Sequence, residues 1–82
     1  DFVRTINGVE VALMILEAGK DKCRVNFRSK GKYVVNEMAK TLGGGGHPFA
    51  AGVKISESID KAIPNILDVV RKSIFSQNGS IK

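Results

Sequence analysis

The chain has 82 residues, 43% of them hydrophobic and 26% charged, with a formal net charge of +5. This composition excludes a disordered tail, and the length allows one domain whose small core buries roughly 60% of the unfolded surface. A lone cysteine, Cys23, excludes an intrachain disulfide and a cysteine-based metal site, and with no signal-peptide pattern or membrane-length apolar run the sequence reads as a cytoplasmic protein in a reducing compartment.

The chain opens on Asp1-Phe2 without an initiator methionine and reads as a piece of a longer polypeptide. Residues 9–17 set Val9, Val11, Leu13 and Ile15 on one side and Glu10, Ala12, Met14 and Leu16 on the other, the pattern of a strand buried on both faces. Ala18-Gly19-Lys20-Asp21 is turn chemistry. Lys22–Arg28 then alternates Cys23, Val25 and Phe27 with Arg24, Asn26 and Arg28, so the two runs form a hairpin whose second strand has one apolar and one polar face. The charge is concentrated here. Lys20, Lys22, Arg24, Arg28, Lys30 and Lys32 oppose only Asp21, which suits either an anionic partner, a nucleotide or nucleic acid ahead of a membrane, or equally a merely solvated lysine-rich hairpin.

Val34, Val35, Met38, Ala39 and Leu42 recur at spacings that suit a short amphipathic helix, closed by Gly43 at the C′ position. Residues 51–56 alternate again and make a third strand, with Ala51, Val53 and Ile55 inward. Ser58 is placed to cap a long helix that presents Ile59, Ala62, Ile63, Ile66, Leu67, Val70 and Ile74 to the sheet. Pro64 predicts either a kink or a main helix that begins near Ile63; Ser76-Gln77-Asn78-Gly79-Ser80 is expected to end the helix, and the last residues to be loose. The fold class is therefore α/β in content (α+β): a small sheet of three or more strands with an N-terminal hairpin, one short helix, a glycine loop and a long C-terminal helix packed on the sheet.

Between the short helix and the third strand lies Gly43-Gly44-Gly45-Gly46-His47-Pro48-Phe49-Ala50-Ala51-Gly52. Four consecutive glycines are unfavourable unless the backbone must turn through positive φ or approach a ligand closely. The run is neither a Walker loop nor a dinucleotide fingerprint, since no Gly-Lys-Ser/Thr follows and a helix precedes it where a strand would be required. A structural turn and a ligand loop both remain open. His47, restricted to extended conformations by Pro48, is the sole histidine, with no acidic cluster nearby in sequence to complete a metal site. Ligand contact and burial as a structural histidine are its two readings.

Phe27-Arg28-Ser29-Lys30, Val35-Asn36, Ala39, Gly43–His47 and Ala50-Ala51-Gly52 together closely resemble the DHH-associated C-terminal domain of DHH-family phosphoesterases, within the oligoribonuclease (nanoRNase) and pAp-phosphatase group. The resemblance runs from about Val9 to the final helix. It implies a nucleotide- or short-oligonucleotide-binding domain in which Arg28 and Ser29 hold a phosphate, the backbone amides of Gly43, Gly44, Gly45 and Gly46 cradle it, and His47 contacts it from the loop. It also implies a separate N-terminal catalytic domain, absent from this sequence, whose two divalent metals, usually Mn²⁺, activate water for phosphodiester hydrolysis. No catalytic or metal-ligating residue is then expected in these 82 residues, which should be inactive alone. The implied partners are RNA fragments, pAp, or linear or cyclic dinucleotides, together with the catalytic domain; a homodimer of the full-length protein is compatible with this, and a membrane is not implied. The alternative is a non-catalytic nucleic-acid module of the type found at the C-terminus of alanyl-tRNA synthetases.

Overall fold

A computed structural model describes residues 2–6 and 10–79. Five strands and two helices follow in the order β1 (Phe2–Ile6), β2 (Val11–Glu17), β3 (Cys23–Ser29), α1 (Asn36–Thr41), β4 (Gly45–His47), β5 (Ala50–Ile55) and α2 (Ile59–Gln77). The strands form one antiparallel sheet ordered β1-β2-β3-β5-β4. The α+β class and the long C-terminal helix on the sheet agree with the sequence reading. Val9 and the residues after Gly79, for which an early strand start and a loose end are expected, lie outside the described residues.

Alternation in β3 becomes two unlike faces. Cys23, Val25 and Phe27 are buried, joined by Val11, Leu13 and Ile15 of β2 and by Ala51 and Val53 of β5, and this inner face is covered by Met38 and Ala39 of α1 and by Ala62, Ile66, Leu67, Val70 and Ile74 of α2. Burial of each large aliphatic side chain contributes on the order of 1.5–3 kcal/mol. The other face has no helical cover among the described residues. The expectation that residues 9–17 are buried on both sides is therefore corrected: Ala12 and Leu16 are only partly buried and Met14 is 43% exposed.

Helix α2 runs unbroken through Pro64. Pro64 and Asp60 both lie on the exposed side, so the hydrogen bond that the proline cannot donate is lost where water reaches the Asp60 carbonyl. Ser58 occupies the N-cap position as expected, but its side chain makes no capping hydrogen bond. At its other end α2 is latched to the segment before α1. The Gln77 carboxamide accepts from the Val34 N–H at 2.7 Å and donates to the Val34 carbonyl at 2.8 Å, while the Tyr33 hydroxyl donates to Asn78 Oδ1 at 2.9 Å. Val34, expected on the apolar face of α1, serves this latch instead, and α1 begins two residues later.

Candidate functional site

The glycine run divides into two halves with different duties. Gly43, at φ +101°, donates its N–H to the Lys40 carbonyl at 3.0 Å, and Gly44 donates to the Ala39 carbonyl at 2.7 Å. These are the two bonds of a Schellman motif closing α1. The amides of Gly43 and Gly44 therefore belong to the helix end, which departs from an expectation that all four amides of the run face a ligand. Gly44 also passes so close to β5 that a Cβ would overlap the Gly52 carbonyl oxygen and lie 2.5 Å from the Val53 Cβ.

The second half is a strand. Gly45 pairs with Gly52, Gly46 with Ala51 and His47 with Ala50. Gly46, at φ +148°, would place a Cβ 2.6 Å from the Ala51 Cα, so its lack of a side chain is again demanded by packing. Gly45 differs from these neighbours, because a Cβ there would meet nothing within 4 Å. Across β5, Gly52 is registered with Asn26 of β3, and a Cβ on Gly52 would come 3.2 Å from Asn26 Oδ1. Gly45, Gly52 and Asn26 thus form a cross-strand row in which two positions are bare backbone.

Side chains directly opposite in register share a face. Arg28, Ala50 and His47 make a second row on the outer face, with Arg28 and His47 about 10 Å apart at ~4.8 Å per strand. Arg24 and Lys54 face each other in a third. Two clefts open on this surface. One of about 500 Å³ is lined by Gly43, Gly44 and Gly45, by Gly52 and Asn26, and by Arg24 and Lys54. The other, about 260 Å³, lies beside Ala12, Met14, Asn26 and Arg28. Asn26 borders both.

His47 is exposed in extended backbone, and burial as a structural histidine is overturned. Arg28 is also exposed and shares its row with His47, but it borders the smaller cleft and not the glycine-floored one. Ser29, the next residue of the strand, has the opposite facing; its Oγ accepts a 3.1 Å hydrogen bond from the Gly31 N–H, and its own N–H donates to the Phe49 carbonyl. Arg28 and Ser29 do not converge here. The residues that do accompany the glycines are Arg24, Asn26 and Lys54. Alternation already put Arg24 and Asn26 on the face of Arg28, but only the β3–β5 register brings Lys54 across from Arg24. Asn36, at the start of α1, buries its Oδ1 without a hydrogen-bond partner among the described residues.

A profile of the DHHA1 domain matches residues 1–75. The chain belongs to the DHHA1 domain family. Relatives of this DHHA1 domain include the bifunctional oligoribonuclease and PAP phosphatase NrnA of Thermus thermophilus, 35% identical over 77 residues, which cover 90% of this chain and 24% of that protein. The protein of the same name from Bacillus subtilis is 44% identical over 50 residues, covering 61% of this chain and 15% of that protein. The DHHA1 chain is thus homologous to DHH-family hydrolases and spans about a quarter of the first relative's length. Among its described residues no group of three or more His, Cys, Asp or Glu could hold a metal ion. No helix of the described residues is long and apolar enough to cross a membrane.

Proposed function

We propose that this DHHA1 domain is the substrate-capturing part of a DHH-family phosphodiesterase acting on very short oligoribonucleotides and on pAp, and that the outer sheet face is where it binds nucleotide. The observation carrying this reading is the Arg28–Ala50–His47 row, a guanidinium and an imidazole on an uncovered sheet face beside the bare backbone of Gly45. Small ligands need close approach to backbone together with a few oriented polar groups, and phosphate suits the planar fork of an arginine. Arg28 and His47 supply a guanidinium and an imidazole from one cross-strand row; Gly45 and Gly46 supply backbone between that row and the glycine cleft. Ser29 contributes by shaping the turn after Arg28 through the hydrogen bond that its Oγ accepts from the Gly31 N–H. The metals that activate water would be held by a separate catalytic domain, and the chain alone would bind without cutting.

Titration of the chain with AMP, followed by amide resonances, tests this. Resonances of Gly45, Gly46, His47 and Arg28 are expected to shift with a Kd in the range of about 0.1–5 mM, as befits half of a cleft. Arg28→Ala should weaken binding about tenfold, the size of one charge-assisted hydrogen bond. Spectra that stay unchanged up to about 10 mM AMP, well beyond that range, would refute the reading. For one phosphate, log affinity should fall with log salt at a slope of only about −0.7; a slope several times steeper would instead indicate a nucleic-acid module that grips a long backbone.

A further inference from the structure

We propose that Arg24 and Lys54 form a second anion subsite, which takes another phosphate of the same nucleotide chain whose first phosphate lies at Arg28 and His47. The inference rests on the nucleotide-binding reading and adds to it a minimum length and charge for the preferred ligand. Arg24 and Lys54 are directly opposite on adjacent strands, an arrangement in which like charges repel. Neither makes an ion pair or a side-chain hydrogen bond among the described residues, where the ion pairs are Lys40–Glu37 and Lys72–Asp68, both on helices. An unneutralised cation pair set over a backbone floor is what a bound anion would relieve. The glycine cleft places Gly45, Gly52 and Asn26 beside the pair, and a neighbouring depression of about 430 Å³ shares Arg24 and Lys54 and adds Lys22.

Arg24 and Arg28 are four residues apart on one strand, about 14 Å at ~3.4 Å per residue. They border different clefts, separated by Asn26. One phosphate cannot occupy both clefts, whereas a short chain of nucleotides laid along β3 would present one phosphate to each, with a further phosphate between them. The Asn26 carboxamide, bordering both, is placed to meet the sugar or base between them. A mononucleotide would leave the Arg24–Lys54 pair empty.

Binding of AMP and of 5′-phosphorylated triadenylate to the 82-residue chain, in metal-free buffer at constant ionic strength, tests the subsite. Wild-type chain is expected to bind the triadenylate at least ~10-fold more tightly than AMP, the advantage of a second linked contact. In the Arg24→Ala/Lys54→Ala variant that ratio should fall to about 2 or less with the AMP affinity unchanged, and the triadenylate salt slope should shrink by about 0.7, one phosphate's share. Both side chains are exposed, and the variant's melting temperature without ligand should equal or exceed the wild-type value because a repulsion is removed. If it drops, the single variants Arg24→Gln and Lys54→Gln serve, each expected to give an intermediate ratio. A ratio that survives the substitutions, or an AMP affinity that falls in parallel with that for the triadenylate, overturns the subsite and leaves the nucleotide reading standing. If AMP fails to bind while the triadenylate binds through the pair, the subsite stands and the Arg28–His47 reading falls. If neither ligand binds, both fall.

Discussion

Alanine substitutions along Gly44, Gly45 and Gly46 should separate stability from binding within three adjacent residues. At Gly44 the new methyl would overlap the Gly52 carbonyl oxygen and lie 2.5 Å from the Val53 Cβ, more than 1 Å inside ordinary van der Waals contact. The obstructing atoms are backbone and a buried β-branched side chain, so strand β5 must shift. Overpacking of this kind costs about 3 kcal/mol, and at ~4–8 °C per kcal/mol for a domain of this size the melting temperature should fall by about 12–24 °C. Gly46→Ala should cost a comparable amount, because its methyl would meet the Ala51 backbone at 2.6 Å from a φ of +148°. Gly45→Ala meets nothing within 4 Å; it also lowers the entropy of the unfolded chain, so stability should stay within about 1 kcal/mol of wild type. Its methyl would project from the outer face two residues from His47 and should weaken AMP binding about tenfold or more. Thermal melts by circular dichroism and an AMP titration on each variant give both readouts. A Gly44→Ala chain that melts within about 3 °C of wild type, or a Gly45→Ala chain that is the least stable of the three, would refute this division of the run.

Other outcomes follow from the latch, the cysteine and the missing metal ligands. Gln77→Ala removes two hydrogen bonds to Val34 and should destabilise by about 1–2 kcal/mol although the residue is exposed; an unchanged denaturant midpoint would show that the latch contributes nothing. Burial pushes the Cys23 thiol above its ordinary range, and the Glu57 carboxylate pushes it further in the same direction. The folded state thus favours the neutral thiol, and its contribution to stability is complete below the ordinary ionisation range near ~8.5 and is lost as pH rises above it. Melting temperature should therefore decline more steeply between about pH 8 and 10 in wild type than in Cys23→Ala, and parallel declines would contradict the assignment. With added Mn²⁺ the chain is expected to release no phosphate from pAp in a colorimetric assay, and turnover above buffer would place a metal centre in these residues after all.

Local pattern carried much of the architecture. Alternation from Val11 to Arg28 specifies the β2–β3 hairpin because the inner residues of both strands enter one core, and the spacing of Ala62, Ile66, Val70 and Ile74 specifies the buried stripe of α2. The position of Gly43 at the end of α1 was legible for the same reason, since a C′ glycine satisfies a purely local need. Strand β1 was not recognised, although Asn7-Gly8, a dipeptide favoured in hairpin turns, stands between Phe2–Ile6 and Val11 in the sequence. Strand β4 could not be read at all. Glycine has no strand preference, and Gly45 and Gly46 are extended because β5 lies beside them. The candidate site was legible in kind and not in membership. A basic segment and a glycine run announce an anion site, but whether Arg24 or Arg28 shares a cleft with the glycines is decided by non-local register, and the same register brings in Lys54.

The closure of α1 has a mechanical corollary. Gly44 is clamped on one side by the Ala39 carbonyl and on the other by the β5 main chain, without the clearance that would let either partner drift independently. The last turn of the helix and the floor under Gly45 therefore behave as a single rigid plate, and an occupant resting on that floor will damp the opening of the helix end as well. Slowed hydrogen exchange at the Gly43 and Gly44 amides, whose N–H groups bond the helix end, would be the signature of a filled cleft.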